Sequence, residues 1–584
     1  MAFSRAARFV LAIIGFTVIA SFGAALVIVA LVTAGPTIES QSVLWLRLPS
    51  NLTEYVPEGL LGQLIAGRRD TVNSVVEVLR KAKVDERIEA VVVIPPSSQL
   101  GMWGKVQEVR EAILDFKESG KPIVAYLEYG GGQQYYLATA ADEIFLTPTS
   151  SVDLVGVASY ELFLREALDA VGVYPDMLHA GDFKTASNIY TETTFTAEHK
   201  EMVEALNRDL YQQLVSGIAE GRRLTEGEVR QLIDDGPYLP DDAVEQNLVD
   251  GLRYEDELLG QDPLPESALH RLLYQDYRLV DSRPLGLNHG PEIAVIYAVG
   301  TITFGASGVD VSGSEVLGSE AIVAAVREAR EDPAVEAIIV RIDSPGGAAV
   351  ASDIIWRELA LAQEAKPVIA SMSDLAASGG YYIAAPADVI VAQPGTLTGS
   401  IGVVAGKFVI DRALDKLGVK VESVTDGRAA GLNSLFSPFS EDLRARLQQQ
   451  IDATYETFLL RVAEGREMLR DDVHAVAQGR VWTGRQAREN GLVDELGGFR
   501  RAVEIAKERA GIATDAEVTL VPYPKPPSLL EMLSDGVGGS VVVARRTLSA
   551  TEKLQAVATL PFRLFHPSQP LALMPGWVPM LLNH

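Results

Sequence analysis

Ser378 stands in "DLAASGGYYIAAPAD" (374–388), crowded by Ala376, Ala377, Gly379 and Gly380. Lys184 stands in "HAGDFKTASN" (179–188), beside Phe183, Thr185 and Ser187. A serine hydroxyl becomes an effective nucleophile when a neighbouring base takes its proton. A lysine can be that base only when neutral. Its ordinary pKa of about 10.4 must then be lowered by burial or by nearby positive charge. Each residue also has a plainer reading: serine is a common helix N-cap, and most lysines are solvated at the surface.

Two further stretches suit acyl transfer. "IDSPGGAAVAS" (342–352) follows an apolar run and opens a helical one. Gly346 and Gly347 let the backbone approach a ligand and aim N–H groups at it, as the oxyanion of a tetrahedral intermediate requires. Gly379, next after Ser378, offers the natural second N–H. A simple Pro-Gly turn would look the same. "GTLTGSIGV" (395–403) supplies Ser400, whose hydroxyl can hold a lysine amine or merely belong to a turn. Among the seven histidines only His179 lies near a singled-out residue, so a Ser–His–Asp site stays open as a rival. The chain has no cysteine, no HExxH, no P-loop and no clustered metal-ligand spacing, so neither metal nor cofactor is expected.

The elements that must position these residues occur twice. "YYLATAADEIFLTP" (135–148) matches "YYIAAPADVIVAQP" (381–394), and "IAEGRR" (218–223) matches "VAEGRE" (462–467). "AVEQNLVDGL" (243–252) matches "ARENGLVDEL" (487–496), and "RIEAVVVI" (87–94) matches "AVEAIIVRI" (334–342). A shared offset of about 245 residues over four separated stretches marks two homologous domains. They span 42–256 and 290–512, with 257–289 as the link and 513–584 as a C-terminal extension. Within each, short β-branched runs alternate with helical patterns, which implies an α/β fold with a largely parallel sheet. Residues 200–220 and 442–464 read as matching amphipathic helices, with Leu443, Leu447, Ile451 and Tyr455 on one face and Tyr211 answering Tyr455.

The repeats differ where the chemistry would be. Gly132 stands opposite Ser378, and "VIPPSSQ" stands where the second repeat has its glycine pair. The second repeat has Arg428, and no lysine, near the place of Lys184. One copy keeps a base and the other a nucleophile, so a single site shared between them is the economical reading.

The chain has 584 residues, 47% hydrophobic and 22% charged, with a net charge of −27. That balance disfavours nucleic acid, which needs lysine and arginine patches. Residues 9–32 carry no charge and are long enough to span a bilayer as a helix, at about 1.5 Å per residue. Arg5 and Arg8 precede them and the first charge afterwards is Glu39, which leaves 1–8 in the cytoplasm and the bulk outside. Val32-Thr33-Ala34 would also suit signal-peptide cleavage, although the apolar run exceeds the usual length. The tail "PLALMPGWVPMLLNH" is apolar and is expected to pack on a neighbour or touch the bilayer surface.

Together the anchor, the tandem repeat, "GDFKTASN", "DSPGG", "DLAASGGYYIAAPAD" and "TGSIGV" resemble the long, tandem-domain form of the bacterial signal peptide peptidase A family, peptidase family S49. The resemblance covers about 9–512. It implies two Clp/crotonase-like α/β domains behind an N-terminal transmembrane helix, and a serine endopeptidase with a Ser/Lys dyad. Its implied substrates are cleaved signal peptides and other hydrophobic peptides at the inner membrane, met from the periplasmic side by a homotetramer. Position by position, Ser378 becomes the nucleophile, Lys184 the general base, Ser400 the residue orienting the lysine, and Gly379 with Gly346 or Gly347 the oxyanion hole. The family often has tyrosine where Phe183 stands. A catalytically inactive scaffold of the same fold is the alternative, and acyl-CoA chemistry a more distant one.

Overall fold

Apolar strands buried on both faces build two largely parallel sheets, one per repeat, that share a six-strand order. The computed structural model of the chain describes residues 36–54, 70–265, 270–309, 314–525 and 571–574. In the first repeat the order is Gly251–Leu252, Glu143–Leu146, Ile123–Leu127, Ile88–Ile94, Ser42–Arg47, His270–Leu273, all neighbours parallel. In the second the matching path is Glu495–Leu496, Val389–Ala392, Val368–Ala377, Val335–Ser344, Glu292–Val299, Thr519–Tyr523, all parallel, and from Val368–Ala377 the sheet also branches to the parallel Leu397–Gly399 and on to the antiparallel Val481–Thr483. The outermost strands extend the expected limits. His270–Leu273 lies in the segment read as a link, and Thr519–Tyr523 in the segment read as an extension. Both are short edge strands: one is mostly exposed and carries His270 and Arg271, the other holds Pro522, so neither has the apolar signature of a buried strand.

The internal likeness extends to individual bonds. Tyr135 and Tyr381 donate their hydroxyls to the carbonyls of Leu248 and Leu492 at 2.7 and 2.8 Å. Asp142 and Asp388 accept from the N–H of Ile123 and Val368. Asp250 and Asp494 accept from Ile144 and Ile390 and pair with Arg222 and Arg466. The long helices Ala197–Arg222 and Glu441–Gly465 bring Gly221 and Gly465 against the backbone of Thr139 and Ala385, where a Cβ would meet carbonyl oxygen at 2.1 and 2.0 Å. On the second helix Leu447, Ile451 and Tyr455 are buried and Leu443 half-buried.

Two features lock the repeats together. In a third sheet, Tyr174–Ala180 of the first repeat pairs antiparallel with Val403–Val409 of the second, from Ala180↔Val403 to Tyr174↔Val409. Beneath it lies a buried ion cluster. Arg341, 1% exposed, donates to Glu54 at 2.8 Å and to Glu108 at 2.7 Å. Lys105 bonds Asp343 at 2.7 Å, and Asp374 accepts from the N–H groups of Met102 and Lys105 at the start of the helix Trp103–Lys117. Glu54, Lys105 and Glu108 come from the first repeat. Arg341, Asp343 and Asp374 sit on the second repeat's strands Val335–Ser344 and Val368–Ala377, just before the Pro-Gly-Gly turn and Ser378. Removing one partner of such a buried pair would leave an uncompensated charge.

The expected anchor at 9–32 lies outside the described residues. Among those described, no helix is long and apolar enough to cross a membrane.

Candidate active site

Ser378 ends the buried strand Val368–Ala377 and begins the helix Gly379–Ala384. Its backbone is at φ 55°, ψ −114°, a region costly for a residue with a Cβ. Two bonds hold it there: its N–H donates to Gly399 at 2.7 Å, and its carbonyl accepts from Tyr382 at 2.8 Å. It occupies the N-cap position, but its side chain makes no capping bond. The hydroxyl faces Lys184 instead, with Nζ 2.8 Å from Oγ. That contact brings together the serine and lysine that the two repeats hold separately.

Lys184 arrives from the other repeat by the ladder Tyr174–Ala180/Val403–Val409. Because Ala180 stands opposite Val403, the residues just after the one and just before the other converge. Nζ bonds the Ser400 carbonyl at 2.8 Å and Ser400 Oγ at 3.0 Å. Ser400 is itself fixed at φ 52°, with its N–H on the Arg480 carbonyl at 2.7 Å. Lys184 is 1% exposed, and burial holds its amine well below the ordinary lysine value. A neutral amine has two N–H bonds and one lone pair. The two oxygens of Ser400 take the donors, so the lone pair is left for the Ser378 hydroxyl. That arrangement can take a proton from Oγ.

The glycines gather beside the hydroxyl. A Cβ on Gly379 would lie 2.7 Å from Ser352 Oγ and 3.1 Å from both Gly346 Cα and Gly347 N, so two backbone segments meet with no room for a side chain. Gly346, at φ 101°, spends its N–H on Ser344 Oγ at 3.2 Å. Gly347 lies between two strands, paired with Ile302 on one side and Ala572 on the other.

The remaining candidates lie elsewhere. Arg428 is exposed. His179 is exposed and bonds the Gly181 carbonyl at 3.1 Å, and among the described residues no histidine hydrogen-bonds Ser378. At Gly132, the counterpart of Ser378, a Cβ would meet nothing within 4 Å, so a side chain is absent there for no steric reason.

Sequence reasoning missed two parts of the site. The turn Gln478–Gly479 clamps Lys184. Phe183 donates its N–H to Gln478 at 2.8 Å, and a Cβ on Gly479 (φ 81°) would come within 2.5 Å of Lys184 Cα. The next residue, Arg480, stacks over Phe183 at 4.7 Å. "AQGR" carries only a glycine as its signal. The second missed part is the strand Leu571–Leu573, which lies between Gly346–Ala348 and Val403–Val409. The tail was expected to meet a neighbour or a bilayer, but this portion packs inside its own chain.

The chain is 37% identical over 477 residues to "Serine protease SPPA, chloroplastic" of Arabidopsis thaliana, covering 80% of this chain and 70% of that one. It is 32% identical to "Protease 4" of Salmonella typhi, covering 83% and 79%. It is 31% identical to "Protease 4" of Haemophilus influenzae, covering 77% and 75%. The model of peptidase family S49 matches twice, at residues 115–261 and 360–513, once in each repeat. The chain is thus a serine-type peptidase and belongs to peptidase family S49.

Proposed function

We propose that this peptidase is a membrane-anchored Ser/Lys endopeptidase that degrades cleaved signal peptides and other hydrophobic peptides at the inner membrane. The observation that carries the reading is the contact of Lys184 Nζ with Ser378 Oγ at 2.8 Å, made by a lysine whose hydrogen-bond partners among the described residues include no carboxylate. Lys184 takes the hydroxyl proton as Ser378 attacks the scissile carbonyl. The N–H groups of Gly347 and Gly379 receive the oxyanion. The lysine then gives its proton to the leaving amine, and the same base activates the water that frees Ser378.

The substrate class is supported by the apolar walls beside the dyad, where Met202, Ala377 and Val481 cluster with Phe183, Leu206, Leu375 and Leu397. The uncharged run at 9–32, with arginines only before it, supports a single-pass anchor and a catalytic part in the periplasm. Exposed apolar side chains such as Tyr160, Leu162 and Val424 fit assembly of copies, in this reading a homotetramer with the Clp/crotonase-like plan.

Hydrolysis of a short apolar peptide by the full chain, Ser378→Ala and Lys184→Ala tests the reading. Wild type cleaves and both variants fail; normal cleavage by either variant contradicts it.

A further inference from the structure

The strand that ends in Ser378 does not run straight to it. Against Val335–Ser344 its register is Ile342↔Met372 and then Ser344↔Ala376, so Ser373, Asp374 and Leu375 bulge opposite the single residue Asp343. Before the bulge the strand's other neighbour is Val389–Ala392, and after it Leu397–Gly399, with Ala377↔Gly399. The second pairing puts the Ser378 N–H on the Gly399 carbonyl at 2.7 Å, next to Ser400, which holds Lys184. A slip of one residue in the bulge would turn the serine to the other face of the sheet.

A bulge takes backbone groups off the ladder, and buried ones need other partners. Asp343 Oδ1 accepts from the Leu375 N–H at 3.1 Å, and Oδ2 accepts from Lys105 Nζ at 2.7 Å. Lys105 is 8% exposed and belongs to the first repeat. That repeat grips the bulge at two more points. Asp374 accepts from the N–H groups of Met102 and Lys105 at 3.0 and 2.8 Å, and Glu54 accepts from Ser373 Oγ. Gly104 lies so close that a Cβ there would stand 2.6 Å from the Ser373 carbonyl oxygen. The first repeat, which has no serine to aim, has Pro96 and Glu128 where the second has Asp343 and Asp374, and Glu128 pairs with Arg47 at the surface. We propose that Asp343, held by Lys105 of the other repeat, is a positioning residue for Ser378: it supplies the acceptor that fixes the bulge, and so sets the serine's register against Gly399 and Ser400. This rests on the Ser/Lys reading above. A loosened bulge moves Oγ away from Lys184 Nζ and leaves the rest of the fold in place, so its cost falls on kcat.

The test compares two double variants of the full chain. Lys105→Met/Asp343→Asn keeps an oxygen acceptor for Leu375, and Lys105→Met/Asp343→Leu removes it. Both lose the same buried pair of charges, so a general loss of stability is common to them and is read as Tm. The rate of fluorophosphonate labelling at Ser378, and kcat for an apolar peptide, should be about 10²-fold higher in the Asn double than in the Leu double, with KM alike. Gly104→Ala leaves every charge in place and pushes the bulge at Ser373, and both rates should fall in it too. Equal labelling in the two doubles, or wild-type rates in Gly104→Ala, overturns the proposal. Labelling of Ser378 without cleavage of any peptide by wild type would sink the endopeptidase reading instead, and the ratio of labelling rates would still decide the role of Asp343.

Discussion

Ala180 of the first repeat is the register partner of Val403 of the second. Four residues beyond the one lies Lys184, and three before the other lies Ser400. The antiparallel ladder therefore carries a lysine from one gene-duplicated half to a serine pair in the other, and no loop has to reach across.

Because the amine is buried and its hydrogen-bond partners among the described residues are neutral oxygens, Lys184 is neutral over a range where a solvated lysine is charged. The kcat/KM for an apolar peptide should rise with pH through the lowered lysine value and level off before the ordinary one of about 10.4. A rate profile between pH 5 and about 11 checks this. A rise only above pH 10 would mean that burial does not act on this amine.

The same burial has a cost in stability. Between the lowered value and about 10.4, the unfolded chain binds a proton at Lys184 that the native chain does not, so stability rises with pH across that window. Lys184→Met, apolar and of similar length, should raise Tm at pH 7 and flatten the slope, while activity falls about 10²–10⁴-fold with the loss of the general base. Scanning calorimetry at pH 7 and pH 9 reads both effects.

Gly479→Ala tests the clamp on Lys184. The added Cβ would stand 2.5 Å from the lysine backbone at a φ of 81°, so the lysine has to move. A displacement of about 1 Å at a catalytic group costs on the order of 10²-fold in rate. The loss should appear in kcat with little change in KM.

Arg341→Met probes the cluster that joins the repeats. It leaves Glu54 and Glu108 buried without their partner. The cost expected is about 3–5 kcal/mol, measured by urea unfolding. Replacing Arg341, Glu54 and Glu108 together by apolar residues should recover most of it.

Gly132→Ser places a hydroxyl at the matching point of the first repeat, where there is room. Combined with Ser378→Ala it should restore no activity, because the lysine of that repeat is committed to the other site.

Much of this was legible in the chain. The repeats, the parallel strands and the long helices rest on apolar periodicity, and buried parallel strands such as Ile88–Ile94 and Val335–Ser344 write that pattern strongly. The pairing of Ser378 with Lys184 was legible because the two halves could be compared: Gly132 and Arg428 mark what each lacks. The edge strands His270–Leu273 and Thr519–Tyr523 were not, since exposed edges carry polar residues and proline. That Gly346 gives its N–H to Ser344 Oγ was also hidden, because it depends on the local turn. The Gln478–Gly479 clamp and the strand Leu571–Leu573 depend on contacts across more than a hundred residues, for which a glycine and a short apolar run are no signal.

The central claim is that Lys184 activates Ser378. Reaction of the full chain with a fluorophosphonate, followed by peptide mapping, tests it most directly. The account predicts one adduct, on Ser378, forming at least about 10²-fold more slowly in Lys184→Ala than in wild type. An adduct on another serine, or an equal rate in Lys184→Ala, would contradict it.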